Sequence, residues 1–280
     1  MLAAMLEEFD FGDIYVRHAV DGRPEQADYT MHVHNRCEVY LFISGNVEYL
    51  VEGSRYPLDT GSLLIMRPSE SHAARILGSS RYERYAANFP AAYLAGIDPD
   101  ALLLRPFLER PLGKGNLFTG RDMDMKLAEQ LFAEMAAPAA PRERNIVLHT
   151  HIGMLLYMIA GAFSARGKTV PAVLTFPERA VSYINRHLFE ELSVRALAGH
   201  FNLSTSQFSR LFRKGVGSSP WEYILRKRLV AARELLGDGA TAQDACERSG
   251  FSDYSSFYRA YRTYFHESPG ETKGSSGSGH

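Results

Sequence analysis

A pattern of two short helices separated by a tight turn occurs twice in the C-terminal third of the chain, and this repeat limits the fold more than any other feature. In the first copy, Ser193 is a favourable N-cap for a helix that ends near Phe201. Asn202 tolerates the left-handed backbone of a tight turn, and Ser204 can cap a second helix. The C-terminal third is therefore predicted to be helical.

The second copy of the pattern consists of a predicted helix over Thr241–Ser249, a turn at Gly250 and a predicted helix over Ser252–Phe265. Between the copies, Pro220–Leu236 has the pattern of one helix, about 25 Å long at ~1.5 Å per residue. A rod of that length can hold two helices near one turn of DNA apart, which is roughly 34 Å. This arrangement favours the insertion of two helices into one DNA duplex.

The second helix of each copy has an apolar stripe and an opposite polar, basic face. The stripes are Phe208, Leu211 and Phe212 in the first copy and Phe257, Tyr261 and Tyr264 in the second. The opposite faces carry Ser206, Ser209, Arg210 and Arg213, and then Tyr254, Ser255, Tyr258, Arg259 and Arg262. A helix with a buried apolar stripe on one side and a polar, basic face on the other fits the major groove of DNA, where arginine can bond bidentately to guanine.

These helices resemble the DNA-binding half of the AraC/XylS family of bacterial transcription regulators. The resemblance is carried, in chain order, by Leu197, Ala198, Ser204, Phe208, Arg210, Phe212, Gly217, Ser218, Ser219, Pro220, Tyr223, Ile224, Arg228, Leu229, Ala232, Leu235, Leu236, Gly250, Phe251, Asp253, Ser255, Phe257, Arg259 and Pro269. Departures from the family pattern are Ala242, Ala245, Tyr261 and His266.

The resemblance implies a sequence-specific transcription regulator, acting as an activator, that reads DNA bases with exposed side chains of both second helices. The implied base-reading residues are Ser206, Ser209, Arg210, Tyr254, Ser255 and Arg259. Arg213 and Arg262 are expected to contact phosphates rather than remain solvated. Arg228 has two open interpretations, a contact to DNA or a structural tie between the linking helix and a helix terminus.

The N-terminal half contains several short segments that are rich in β-branched and aromatic residues and are bounded by turn signals. The predicted strands are Tyr29–Val33, Cys37–Ile43, Asn46–Glu52, Leu63–Met66, His72–Ile76 and Tyr82–Phe89. Many short strands at close spacing predict a small barrel or jelly roll. Residues 1–27 have no clear periodicity and are expected to form a mobile arm.

Three histidines and one glutamate of this strand region can converge. His32 and His34 are predicted to share a strand face, and Glu38 and His72 lie on other predicted strands. They resemble the signature of cupin barrels, in which three His and one Glu bind a metal, and the effector domain that precedes the DNA-binding half in many AraC-type regulators. Three interpretations stay open: a site for Zn, Ni, Mn or Fe, the polar lining of an effector pocket that includes Tyr40, or structural histidines. A sugar or related polar metabolite would suit such a lining.

Two further helices are predicted after the strands, over Asp122–Ala136 and Arg142–Phe163. Their apolar stripes are expected to form a homodimer; the alternative is that both stripes pack on the barrel. The predicted fold class is therefore α+β, with an N-terminal cupin-like β-barrel and trailing helices followed by an all-α domain with two helix-turn-helix motifs joined by a linking helix. The predicted domains are 1–167 and 177–273, with a linker at 168–176 and a tail at 274–280 that resembles a linker to a tag.

Composition excludes few classes, because 31 basic and 32 acidic residues nearly balance. Cys37 and Cys246 fall in different predicted domains, so no disulfide framework is expected. We find no signal peptide and expect no membrane span, which favours the cytoplasm.

The function expected from these features is an effector-responsive activator that binds double-stranded DNA and RNA polymerase. No phosphate-binding loop and no Gly-x-Ser-x-Gly turn is found, so we expect no enzyme activity and no certain cofactor. Two alternatives remain. One is a metal-dependent cupin enzyme fused to a DNA-binding domain, and the other is a regulator without an effector that is controlled by its abundance.

Overall fold

The computed structural model describes residues 7–11, 14–94, 98, 100–166 and 174–272. The chain divides into two compact units. The first comprises residues 1–30, 36–51 and 55–173, and the second comprises residues 31–35, 52–54 and 174–280. The predicted tail at 274–280 and most of the predicted linker at 168–176 lie outside the described residues. Residues 174–176 of that linker are described, and Phe176 already begins a helix.

The first unit contains two antiparallel sheets, one of six strands and one of three. The strands are β1 (Glu7–Phe11), β2 (Ile14–Asp21), β3 (Cys37–Ser44), β4 (Val47–Val51), β5 (Ser54–Pro57), β6 (Leu63–Met66), β7 (His72–Ile76), β8 (Tyr82–Phe89) and β9 (Leu117–Phe118). Their order is β1-β2-β8-β3-β6-β9 in the larger sheet and β5-β4-β7 in the smaller. The expected mixed α+β class with N-terminal antiparallel strands is confirmed.

The centre of the larger sheet is buried on both faces, which explains why β3 and β6 are almost continuously apolar. Val39 and Leu41 of β3 point into a core that also contains helical residues such as Phe132 and Leu155. Tyr40 and the other alternate residues belong to a second core, together with side chains of the smaller sheet. The larger sheet therefore has helices on one face and the smaller sheet on the other.

One strand prediction and the prediction of an N-terminal arm are wrong. Tyr29–Val33 is irregular except for an isolated bridge at His32. The supposed arm 1–27 instead contains β1 and β2, and β2 pairs with β8 from Tyr15 to Asp21. Strict alternation fails in β2, where Arg17 and His18 are both only partly buried, so its period was hard to recognise. The parts of that arm at 1–6 and 12–13 lie outside the described residues.

The helices of the first unit are α1 (Arg105–Leu108), α2 (Met125–Ala136) and α3 (Pro141–Ala165). Asp124 caps α2 by accepting hydrogen bonds from the backbone N–H groups of Lys126 and Leu127. Helices α2 and α3 pack on each other and on the larger sheet. The apolar residues of α3 are divided between this core and the surface, and Ile146 is 65% exposed.

By length and composition α3 could cross a membrane, because residues 145–165 contain no Asp, Glu, Lys or Arg. No membrane span was expected from the sequence, and among the described residues this is the one helix that meets the length and composition criteria. One helix of this kind is weak support for a membrane span, since the core helix of a soluble protein has the same properties. Ile152, Leu156 and Ile159 of α3 are indeed fully buried in the first unit.

The second unit is mainly helical from Phe176 to Thr272. Its helices are α4 (Phe176–Arg186), α5 (Val194–His200), α6 (Thr205–Val216), α7 (Pro220–Gly237), α8 (Ala242–Arg248), α9 (Tyr254–Phe265) and α10 (Pro269–Thr272). The two predicted helix-turn-helix pairs are α5–α6 and α8–α9, and α7 is the predicted linking helix. Its 18 residues correspond to about 27 Å at ~1.5 Å per residue.

Candidate nucleic-acid interface and histidine cluster

The first helix-turn-helix pair is defined by its caps and its turn. Ser193 Oγ accepts the backbone N–H of Ala196 at 3.1 Å and so caps α5. Asn202 has a φ of 54°, the left-handed conformation expected for the turn. Ser204 and Gln207 form a reciprocal capping box at the start of α6, with the Ser204 N–H donating to Gln207 Oε1 at 3.1 Å. Local sequence therefore sets both the turn and the start of the second helix.

Helix α6 packs on its neighbours through buried aromatic side chains. Phe208 and Phe212 are completely buried. The ring of Phe208 packs 5.7 Å from that of Phe201 on the preceding helix end, and Phe212 packs 5.7 Å from Tyr223 of α7. These contacts hold α6 against its neighbours and determine which of its faces remains open to solvent.

The open face of α6 carries the predicted DNA-reading residues. Ser206, Arg210 and Arg213 are exposed, and Ser209 is half-buried. Serine hydroxyls can donate and accept hydrogen bonds, while the arginine forks match guanine edges or phosphates. The structure thus brings all four side chains of the first predicted set onto one surface of α6.

Helix α9 repeats this arrangement. It begins at Tyr254, two residues later than predicted, because Asp253 is the N-cap and accepts the Ser256 N–H at 2.6 Å. The hydrogen bonds from Ser256 lower the pKa of the Asp253 carboxyl. Phe257 and Tyr261 are completely buried and pack on α7 and α8.

The open face of α9 carries the second predicted set of DNA-reading residues. Tyr254, Ser255, Arg259 and Arg262 are all exposed. Arg259 donates a 3.3 Å hydrogen bond to Ser256 Oγ, which orients its guanidinium toward the N-terminal half of the helix. Tyr258 is half-buried, and its ring lies 6.4 Å from that of Tyr254.

Arg228 is structural, as one of the two sequence interpretations proposed. It is almost entirely buried on α7, and its guanidinium donates to three backbone carbonyl oxygens: that of Leu188 at 2.8 Å, of Gly250 at 2.7 Å and of Glu190 at 2.6 Å. Gly250 is the turn residue of the second helix-turn-helix pair, with a φ of 85°. Arg228 therefore joins the linking helix to the segment after α4 and to the second turn.

Of the predicted histidine cluster, Glu38 and His72 meet within the first unit, whereas His32 and His34 belong to the second unit and do not lie on the predicted strand. The rings of His32 and His34 lie 6.0 Å apart within the second unit. Glu38 and His72 are both buried, with His72 Nε2 3.2 Å from Glu38 Oε2. Burial alone would lower the pKa of His72, but the negative charge and hydrogen bonds of Glu38 raise it above its ordinary value.

Tyr40 does not share this environment directly. Its hydroxyl lies 2.5 Å from that of Tyr82, and its ring packs 4.7 Å from that of Tyr49. Burial raises the pKa of Tyr40 well above its ordinary value, so this phenol stays protonated. Tyr49 in turn stacks near His72, with 6.1 Å between the ring centroids. Tyr40 is thus a core residue one layer removed from the histidines.

Sequence reasoning missed a cavity in the second unit that lies between α4 and the turn of the first helix-turn-helix pair. Its signal is present in α4, where Arg179, Tyr183 and Arg186 follow one another at positions i, i+4 and i+7 on one helix face. This face of α4 was not considered at the level of the sequence.

Two family models match the chain. The AraC-like ligand-binding domain matches residues 16–152, and a helix-turn-helix domain matches residues 197–275. The two matched ranges do not overlap and together cover most of the chain. They correspond to the antiparallel sheets with their helices and to the paired helix-turn-helix motifs.

Similar curated proteins include the HTH-type transcriptional activator RhaS of Escherichia coli O1:K1, which is 23% identical over 90% of this chain and 90% of its own length. "Probable transcriptional regulator LumQ" of Photobacterium leiognathi is 37% identical over 31% of this chain, and the matched region spans 36% of LumQ. Among solved structures, the DNA-binding domain of AdpA in complex with a target DNA is 26% identical and covers 35% of this chain and 88% of that chain, with a TM-score of 0.34.

The helix caps, turns and buried aromatic residues described above agree with the two matched family models. They also agree with the similarity to RhaS over 90% of the chain. The chain belongs to the AraC family of DNA-binding transcription regulators and combines an AraC-like ligand-binding domain with a helix-turn-helix domain.

Proposed function

We propose that this regulator reads an operator with the exposed faces of both α6 and α9 and responds to a small polar effector bound by its first unit. The observation that carries the proposal is the repeated design of the two helices. Each has a capped start, a wholly buried aromatic pair and an opposite face with exposed arginines. Bases would be read by the exposed serines, Tyr254, Arg210 and Arg259, while Arg213 and Arg262 would contact phosphates.

Selection of duplexes from a random pool with the full-length protein tests DNA reading. The selected sequence should contain two separated recognition elements, one for each helix. If six to ten phosphates are contacted, log affinity should fall with log salt at a slope of about −0.9 per contact. A selected pool without any preferred sequence, or a nearly flat salt response, would contradict the proposal.

The effector is proposed to bind at the histidine cluster, where the buried Glu38–His72 pair offers oriented polar groups beside the Tyr49 ring. The same donors suit a divalent metal, because three imidazoles and one carboxylate are a common ligand set for Zn, Ni, Mn or Fe. A bound metal would itself supply a Lewis-acidic anchor for effector oxygens.

Thermal melting of the full chain separates these cases. A ligand at 100 times its Kd should stabilise the protein by about 2.7 kcal/mol. A rise of the melting temperature with ZnCl₂, NiCl₂ or MnCl₂ alone would indicate metal binding. A rise with a sugar or related metabolite in the presence of a metal chelator would indicate direct effector binding. His34→Ala should abolish either rise, while His149→Ala, which removes an exposed imidazole from α3, should not. A full response in His34→Ala would exclude this site, and chemical turnover of a metabolite would favour the cupin-enzyme alternative.

A homodimer is proposed to form through α3. Helix α3 has three exposed apolar residues, although its other apolar residues belong to the core. They are Ile146, Met154 and Tyr157, which are 65%, 49% and 70% exposed. A second copy of the same face would cover them. Sedimentation of the full chain should give a dimer at tens of micromolar for the native protein and a monomer for Tyr157→Glu. A native monomer would contradict the proposal.

Activation further requires contact with RNA polymerase, and we propose that the operator-bound protein recruits it in the cytoplasm. Transcription in vitro from a promoter that carries the selected operator should rise when the regulator is added. An unchanged or reduced transcript level would argue against the activator assignment.

A further inference from the structure

A cavity of about 540 Å³ lies within the second unit, and none of the proposed DNA-reading residues lines it. Its walls come from α4, from the residues just before α4, from the turn between α5 and α6, and from Leu211 of α6. A volume of this size lies in the range of sites that hold small organic molecules.

One wall of the cavity is aromatic and held in place by ring contacts. The ring of Tyr183 stacks on that of His200 at 3.9 Å and lies 6.0 Å from that of Phe201 in an edge-to-face contact. Phe201 also meets Phe176 edge-to-face at 5.5 Å. A planar apolar group entering the cavity would therefore meet aromatic faces and edges that are already oriented.

The rim of the cavity carries two cations. Arg179 and Arg186 lie on the same face of α4, one helical turn before and one after Tyr183. In the part of the chain that the structure describes, neither guanidinium forms an ion pair. The described contact of Arg186 is a long 3.4 Å hydrogen bond from its Nε to the Ser182 carbonyl oxygen. Both guanidinium groups are therefore available to a carboxylate, which arginine binds bidentately.

We infer that this cavity is a second ligand site and that it takes an amphipathic monoanion, a carboxylate attached to an aromatic or other apolar body. The carboxylate lies between Arg179 and Arg186, and the apolar body lies against Tyr183, Phe201 and Leu211. This binding does not depend on the assignment of the DNA-reading residues or of the histidine cluster.

The test uses the full chain and 2-naphthoate as the probe, with 2-naphthylmethanol as its uncharged counterpart. Calorimetric titration should show saturable binding of the anion and at least tenfold weaker binding of the alcohol. The double substitution Arg179→Ala and Arg186→Ala should weaken naphthoate binding at least tenfold. Arg195→Ala removes an exposed arginine of α5 that does not line the cavity, and it should leave the affinity unchanged.

Amide resonances locate the bound probe independently of these substitutions. Naphthoate should shift the amides of Ser182, Tyr183 and the 200–203 turn. No saturable binding, equal affinity for the alcohol, full affinity in the double variant, or shifts confined to the first unit would each overturn the inference.

Discussion

The guanidinium of Arg228 donates a hydrogen bond of 2.7 Å to the carbonyl oxygen of Gly250, the turn residue of the second helix-turn-helix pair. Two further hydrogen bonds from the same guanidinium reach the carbonyl oxygens of Leu188 and Glu190 after α4. Arg228 lies on α7, the helix that links the two pairs. A single buried cation thereby connects the linking helix to segments on both of its sides.

Removal of this cation should destabilise the second unit. Arg228→Ala leaves three carbonyl oxygens without their charged donor, and hydrogen bonds of this kind are worth about 1.5–3 kcal/mol each before relaxation and water entry. We expect the free energy of unfolding to fall by about 3 kcal/mol in total. Urea unfolding followed by the fluorescence of Trp221, the single tryptophan, reports on this unit.

Arg233→Ala is the matched control on the same helix, because the Arg233–Glu267 ion pair is partly exposed to solvent, by 42% and 31% of the two side chains. Its loss should cost less than about 1 kcal/mol. Equal effects of the two substitutions would show that the buried hydrogen bonds of Arg228 contribute little.

Gly250 should not tolerate a side chain. Its φ of +85° strains an L residue by about 1–2 kcal/mol. An added Cβ would also lie 2.9 Å from the Phe189 Cα and 3.1 Å from the Arg228 Cζ, which adds about 1–3 kcal/mol of overpacking. Gly250→Ala should therefore lower the unfolding free energy by about 2–5 kcal/mol in the same Trp221 assay.

Gly239→Ala separates the two causes, since Gly239 has a φ of +92° but open space around it. Only the backbone strain of about 1–2 kcal/mol should remain there. If Gly239→Ala proves as costly as Gly250→Ala, the close approach of Phe189 and Arg228 is not the reason for glycine at the second turn.

The first unit depends on a buried ion pair between Glu70 and Arg110. Both side chains are almost inaccessible to solvent, and Glu70 also accepts hydrogen bonds from Gly113 N at 2.8 Å and Asn116 Nδ2 at 3.1 Å. Arg110→Ala would leave a buried carboxylate without its cation, at a cost of about 3–5 kcal/mol. Calorimetric melting of the full chain should show a large downward shift of the first unit's transition.

Arg105→Ala provides the comparison, because Arg105 pairs with Glu109 at 2.8 Å on the open surface of α1. Water and salt screen that pair, so its loss should leave the transition nearly unchanged. A small shift for Arg110→Ala as well would mean that water or a neighbouring group replaces the guanidinium.

The helix-turn-helix half could be predicted closely because its determinants are local. Ser193, Ser204 and Asn202 act on backbone groups within three residues of themselves, so their roles are visible in the sequence alone. The three carbonyl partners of Arg228 are 22 to 40 residues away in the chain, and no local pattern marks them.

The first half was predicted less well, for physical reasons that differ between segments. Strand β2 was missed because Arg17 and His18 interrupt its alternation. The His32–His34 segment was taken for a strand because of its apolar and aromatic neighbours, although only an isolated bridge forms there. The convergence of Glu38 and His72 was expected because both lie on predicted strands, whereas the burial of Tyr40 among other tyrosines depends on tertiary packing.

The central claim is that α6 and α9 each read bases, and paired arginine substitutions test it most directly. Operator affinity and base preference should be measured by fluorescence anisotropy for Arg210→Ala and Arg259→Ala, with Arg121→Ala in the first unit as a control for the loss of one charge. Each recognition-helix substitution should cost roughly 1–3 kcal/mol and relax the preference at one base position, and the two positions should lie in different halves of the operator. Arg121→Ala should change neither quantity. Wild-type affinity and selectivity in either arginine variant would contradict base reading by the helix that carries it.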